Sequence, residues 1–97
     1  MRYEIILAPE AERDYKKLKA VVRAEVRDSL EVHLRHEPMK ASKSSIKRLR
    51  GLAQPQYRLR VGDLRVFYDV EGDSVLVLAI ILKSDADRWL REAGKSS

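Results

Sequence analysis

The sequence predicts an α+β fold in which two N-terminal helices pack on a mostly antiparallel four-stranded sheet, in the order β-α-α-β-β-β, with a short C-terminal helix. Three observations carry this. Apolar residues recur at helical spacing from Ala11 to Leu34, change to strict alternation from Tyr57 to Val70, and then run unbroken as VLVLAIIL over 75–82. A period near four is a helix with one buried stripe, a period of two is a half-buried strand, and a short unbroken apolar run is a central strand covered on both faces. A chain of 97 residues holds one domain, 1–97, around one core.

Residues 3–7 read as a short strand, because Ile5, Ile6 and Leu7 form an apolar run ended by Ala8-Pro9. Pro9 suits the first turn of a helix, where its missing N–H is not needed. Ala11, Tyr15 and Leu18 follow on that helix. After a break at 19–21, Val22, Val26, Leu30 and Leu34 continue on a second one, which Pro38 ends. Residues 37–50 are polar and basic, with the small residues Ala41, Ser42, Ser44 and Ser45, and read as a loop holding at most one basic helical turn.

Gly62-Asp63 supplies the glycine that the first position of a two-residue hairpin turn requires. That turn fixes the register. Val61 faces Leu64, Leu59 faces Val66 and Tyr57 faces Tyr68 on an apolar face that builds core. After the central strand, Ser84 is a candidate N-cap with Asp87 three residues on; Trp89, Leu90 and Ala93 share a stripe, and Gly94 stops the helix.

The absence of cysteine excludes a disulfide framework, a thiolate metal site and a cysteine nucleophile, and makes the cytoplasm the expected location. The opening MRYEIILAPEAER has an early acid and too short an apolar run for a signal peptide, and no stretch reaches membrane-spanning length, so no membrane contact is expected. His33 and His36 stand three apart, not at the four-residue spacing of zinc helices, so neither a metal nor a cofactor is expected.

The net charge of +5 is unevenly placed. Residues 1–39 balance eight Lys/Arg against eight Asp/Glu, residues 66–97 carry four against six, and residues 40–65 carry eight against Asp63 alone. All the excess positive charge thus lies in 26 residues, the footprint of a polyanion site. The hairpin register sharpens it. On the second face Arg60 stands opposite Arg65 and Arg58 opposite Phe67. Opposed like charges cost about 0.2–1 kcal/mol on a ladder, a cost that an incoming phosphate would offset through bidentate guanidinium bonds. Phe67 is the candidate platform for a stacked base. Lys43, Lys47, Arg48 and Arg50, just upstream, are candidates to extend this phosphate-binding surface.

These residues carry a resemblance that covers nearly the whole chain. The opening Tyr3-Glu4-Ile5-Ile6 with Ala11 and Leu18, the segment Ile46-Lys47-Arg48-Leu49-Arg50-Gly51-Leu52, and above all YRLRVGDLRVFY at 57–68 resemble the RelE/ParE superfamily of toxins. The resemblance implies a RelE-like microbial RNase fold and the toxin role in a type II toxin-antitoxin system. Its RelE branch cleaves messenger RNA on the ribosome, the reading favoured here; its ParE branch inhibits DNA gyrase without cutting RNA. It also implies a RelB-like antitoxin encoded nearby, a toxin-antitoxin hetero-oligomer, and contact with ribosome and mRNA. Arg58 and Arg60 match the family's basic pair before the turn and Arg65 its arginine after it. They are thereby expected to bind phosphate and stabilise the transition state.

The chain departs from the ribonuclease members after the last strand. A basic or histidine residue followed by arginine, with a tyrosine further on, is replaced by Leu82-Lys83-Ser84-Asp85 and then Trp89-Leu90. Cleavage by the RNA's own 2′-hydroxyl needs a base, stabilisation of charge on phosphorus, and an acid for the leaving oxygen. Arginines supply only the second. The base is then Lys83, or a carboxylate such as Asp69, or a role left to the ribosome and substrate geometry. Lys83 is accordingly a fourth candidate catalytic residue, and a catalytically degenerate RNA-binding toxin homologue stands beside the gyrase inhibitor as an alternative.

Overall fold

The computed structural model describes residues 1–96. β1 (Glu4–Leu7) leads into α1 (Pro9–Lys16) and α2 (Ala20–Leu34). There follow β2 (Ile46–Arg48), β3 (Leu52–Gln54), β4 (Tyr57–Val61), β5 (Leu64–Glu71) and β6 (Ser74–Leu82). A 3-10 turn (Lys83–Asp85) then joins α3 (Ala86–Ala93) and β7 (Lys95–Ser96). The main sheet has the order β1-β6-β5-β4-β2, with β1 parallel to β6 and the rest antiparallel, while β3 and β7 form a separate two-stranded ribbon. Among the described residues no helix is long and apolar enough to cross a membrane.

The α+β class is as the sequence predicts, but the sheet has five strands where four were expected. The extra one is β2, inside the segment read as a loop. Three residues are too few to show a period, and only Ile46 among them is apolar. What makes them a strand is pairing with β4, Ile46 against Leu59, Lys47 against Arg58 and Arg48 against Tyr57, which buries Ile46. The C-terminal helix also begins differently. Asp85, not Ser84, is the residue before α3, and no side chain caps it, because 83–85 are taken up in the 3-10 turn, where Lys83 N donates to Asp63 O at 2.8 Å.

α1 and α2 lie on one face of the sheet. Val26, Leu30 and Leu34 pack with Leu59, Val61, Leu64, Val66, Val75 and Val77 in one buried cluster, each such side chain worth about 1.5–3 kcal/mol relative to exposure. Tyr68 sits fully buried among them, stacked on Tyr57 with centroids 5.4 Å apart, and its hydroxyl donates to Pro38 O at 2.6 Å. That bond ties the chain after α2 to the central strand. β1 can follow β6 only as far as Val77, since Pro9 turns the chain into α1; beyond it Ile80 N donates instead to Asp14 Oδ2 at 3.0 Å. Phe67 alternates with Val66 and Tyr68 and so faces away from the two helices, where Trp89 of α3 stacks on it at 4.9 Å.

Candidate nucleic-acid interface

The hairpin adopts the register the sequence predicts, pair for pair, with Gly62 at φ +55° in the turn. Arg60 therefore opposes Arg65 and Arg58 opposes Phe67, and β2 adds Lys47 opposite Arg58. Side chains paired across a ladder share a face, so four cations project from the sheet on the side away from α1 and α2. A wall rises beside them. The Ser42 hydroxyl accepts from Ser45 N at 3.0 Å and Ile46 N at 3.2 Å, Ser42 N donates to Ile46 O at 2.8 Å, and Arg60 N donates to Ser45 O at 2.8 Å. The loop is thus folded down on β4. Between wall and sheet lies a cleft of about 280 Å³ lined by 42–47 together with Arg58, Arg60 and Arg65.

The three arginines differ. Arg65 is only 7% exposed, and its Nη1 donates to Gly62 O at 3.0 Å and Leu64 O at 2.8 Å, so it clasps the turn as well as facing the cleft. Burial first, and then the positive charges of Arg58 and Arg60, push its guanidinium below the ordinary arginine value, with Asp63 opposing weakly. Arg58 has a buried Nε without a hydrogen-bond partner among the described residues. Arg60 is exposed. A buried donor left unmet costs about 1–3 kcal/mol, and no carboxylate lines the cleft to meet it. The arrangement is charged, partly desolvated and without a carboxylate in its lining, so an anion entering the cleft would meet unpaired donors.

Of the other sequence candidates, Lys43 and Lys47 line this cleft. Arg48 does not: it pairs with Tyr57, its guanidinium lies 5.1 Å from that ring's centroid, and its Nη1 donates to Gln56 O at 2.8 Å. Arg50 is exposed beyond β2, outside the cleft lining. Phe67 requires a correction. Read as an exposed platform for a base, it is 0% exposed, because alternation sets the face a residue points to and not what covers that face; α3 folds over it through Trp89. Lys83 lines a different hollow, with Asp63, Ser84 and Asp87. Asp69 is buried, and its carboxylate accepts from Gln54 Nε2 at 2.7 Å and Gln56 N at 2.8 Å, which commits it to holding that bend. The serine wall was not singled out in the sequence. Its only signal was a cluster of small hydroxyl residues inside the basic stretch.

The same architecture occurs in solved toxins. An arginine-to-alanine double mutant of the E. coli toxin RelE, in the free state, superposes with a TM-score of 0.70 at 24% identity, over 96% of this chain and 95% of that one. The toxin-antitoxin complex RelBE2 from Mycobacterium tuberculosis gives 0.66 at 24% identity, over 84% and 99%. The archaeal RelE–RelB complex from Pyrococcus horikoshii OT3 gives 0.63 at 26% identity, over 86% and 97%. The sequence profile described as ParE toxin of type II toxin-antitoxin system, parDE, matches residues 5–86. The chain belongs to the ParE toxin family. No curated protein matches its sequence closely. This ParE-family protein is therefore a toxin of a type II toxin-antitoxin system within the RelE/ParE superfamily, and residues 5–86 include β2, the hairpin and the whole arginine cleft.

Proposed function

We propose that this toxin acts on messenger RNA at the ribosome, in the cytoplasm, holding a phosphodiester in the cleft of Arg58, Arg60 and Arg65 while the neighbouring 2′-hydroxyl attacks it. One observation carries the reading. Three guanidiniums converge on a single cleft whose lining offers them no counter-charge, and one of them keeps a buried N–H unmet. Guanidinium forks match phosphate oxygens and are worth most in a partly water-excluded site, where charge builds on phosphorus. Lys43 and Lys47 extend the grip along the backbone.

A specific feature also favours a second reading. The cleft lining contains no carboxylate, histidine or tyrosine, and Lys83 and Asp69 lie outside it. For RNA cleavage, the proton transfers then fall to the ribosome and to substrate geometry. A ParE-like inhibitor that binds DNA gyrase without chemistry needs none. Induction of the toxin followed by primer extension separates the two: cuts phased to codons support cleavage, whereas intact messages with a DNA-damage response support the gyrase reading. Full toxicity of an Arg58→Gln/Arg60→Gln double variant would remove the cleft from either.

The inhibitor follows from the family. A toxin of this class is paired with an antitoxin, here a RelB-like protein encoded nearby, and the Mycobacterium tuberculosis and Pyrococcus horikoshii relatives are themselves complexes. An extended, partly acidic segment that folds on binding suits the basic open face. Co-purification of the chain with the product of the neighbouring reading frame is the expected result.

A further inference from the structure

Ser44 stands in the wall of the arginine cleft, exposed, on the same lining as Arg58, Arg60 and Arg65. Its neighbours are occupied. The Ser42 hydroxyl is committed to two backbone N–H groups, and Ser45 is half-buried and pinned through its carbonyl to β4. We propose that Ser44 is a phosphorylation site at which a serine kinase switches the toxin off by filling its own cleft. The inference rests on the reading that this cleft binds RNA phosphate.

In the modification Ser44 Oγ attacks the γ-phosphorus of a nucleoside triphosphate. The bond from that phosphorus to the β–γ bridging oxygen breaks, the nucleoside diphosphate leaves, and the hydroxyl proton passes to the kinase's base. The product carries a charge of about −1.5 to −2 and three strong acceptor oxygens. It lies within the cluster that lacks acceptors. The buried Arg58 Nε and the guanidiniums of Arg60 and Arg65 are the donors it would meet, and each bond formed is charge-assisted. An RNA diester brings one negative charge per phosphate to the same donors, so the monoester dianion is the stronger ligand.

Tethering adds to this. A group on a short tether has an effective concentration on the order of millimolar, so even a weak intrinsic affinity keeps the cleft occupied, while RNA must compete from solution. Access is not a barrier, since 41–44 are exposed and Lys40, Lys43, Lys47 and Arg48 flank the serine in the sequence with the charge that an acidic kinase groove recognises. Of residues 41–46 only Ile46 belongs to the helix-side core, so the switch is expected to leave the fold alone.

The test uses the full chain with phosphoserine installed at position 44 during translation, compared with the same sample after phosphatase treatment. Binding to a single-stranded RNA oligonucleotide is followed by fluorescence anisotropy, and the phosphorus resonance is titrated with pH. The expected result is RNA binding at least about tenfold weaker in the phosphorylated form, recovered after phosphatase. The phosphoserine should also give up its second proton clearly below about 6, its usual value, and Arg58→Gln should reverse that displacement. Equal RNA affinity before and after phosphatase, or an ordinary phosphoserine titration, overturns the inference. If the dephosphorylated toxin binds no RNA, the proposed function fails instead, and the phosphorus titration alone then decides whether Ser44 reaches the arginines.

Discussion

On the helix side of the β4–β5 hairpin, Tyr57, Leu59 and Val61 meet Tyr68, Val66 and Leu64; on the other side Arg58 and Arg60 meet Phe67 and Arg65. The two faces come from alternate residues of the same strands. The first obeys every rule of a stable ladder, with apolar and aromatic pairs packed under α2. The second sets like charges opposite one another and leaves a donor without a partner among the described residues. Stability concentrated on one face allows the other to carry a destabilising cluster of cations, because the cost of that cluster is small beside the burial behind it. The fold can therefore tolerate the cleft, and under the proposed function a bound phosphate would offset its cost.

The hardest way to break this comparison is from the stable side. Leu59→Ala removes a side chain that is fully buried at the middle of the core and should cost about 2–5 kcal/mol. Its neighbour Arg60, exposed on the other face, should change stability by less than about 0.5 kcal/mol when replaced by Gln. Urea unfolding of both variants measures the difference directly. Comparable losses would mean that the arginine face is structural too.

Next in size is the effect on binding. Arg58→Gln removes a cation at the centre of the cleft, and a hydrogen bond to a charged group is worth about 1.5–3 kcal/mol. RNA affinity should fall roughly tenfold to a hundredfold, and the slope of log K against log salt should flatten by about one. An unchanged salt slope would show that Arg58 meets no phosphate. Arg65 is less clean as a probe, because Arg65→Gln removes a cation and the two bonds to the turn carbonyls together.

How much of this was legible depended on whether the information lay within one segment. The hairpin was, down to each cross-strand pair, because a period of two and a Gly-Asp turn fix the register locally. β2 was not, since Ile46-Lys47-Arg48 becomes a strand only by pairing with Tyr57, Arg58 and Leu59. The face of Phe67 was legible and its burial was not, for Trp89 arrives from 22 residues away in the chain. The same holds for the cleft. Its floor of arginines followed from the hairpin, whereas its serine wall depends on bonds from Ser42 and Ser45 to β2 and β4.

Tyr68 tests the seam between the stable face and the loop that leads to the wall. Tyr68→Phe keeps the stack on Tyr57 but leaves Pro38 O without its donor, which should cost about 1–2 kcal/mol. The pH dependence gives a second handle. Burial, helped by Tyr57, pushes the Tyr68 phenol above its usual value. An acid whose folded value is raised holds its proton more tightly when folded, so its contribution is present below the ordinary tyrosine value of about 10 and is lost as pH rises beyond it. The variant lacks that decline. The stability gap between wild type and Tyr68→Phe should narrow above about pH 10 in thermal melts, and a constant gap would deny the phenol this role.

The smallest expected effect is at Lys83, and it sharpens the comparison most. A lysine base for the 2′-hydroxyl would have to stand within hydrogen-bond reach of that group while its phosphate sits among Arg58, Arg60 and Arg65. Lys83 instead follows β6, with its backbone N–H on Asp63 O, and lines the hollow shared with Asp63, Ser84 and Asp87. The carboxylates of Asp63 and Asp87 line that hollow with it. Lys83→Met should accordingly leave stability within about 0.5 kcal/mol, as an exposed substitution does, and leave single-turnover RNA cleavage within about threefold of wild type. General base catalysis typically contributes about a hundredfold or more, so a loss of that size would place Lys83 in the reaction. Lys83→Arg then separates the two ways it could act. A guanidinium can stabilise charge but cannot accept a proton at working pH, so rescue by arginine would mark a phosphate contact reaching over from the neighbouring hollow, and failure to rescue would mark a base.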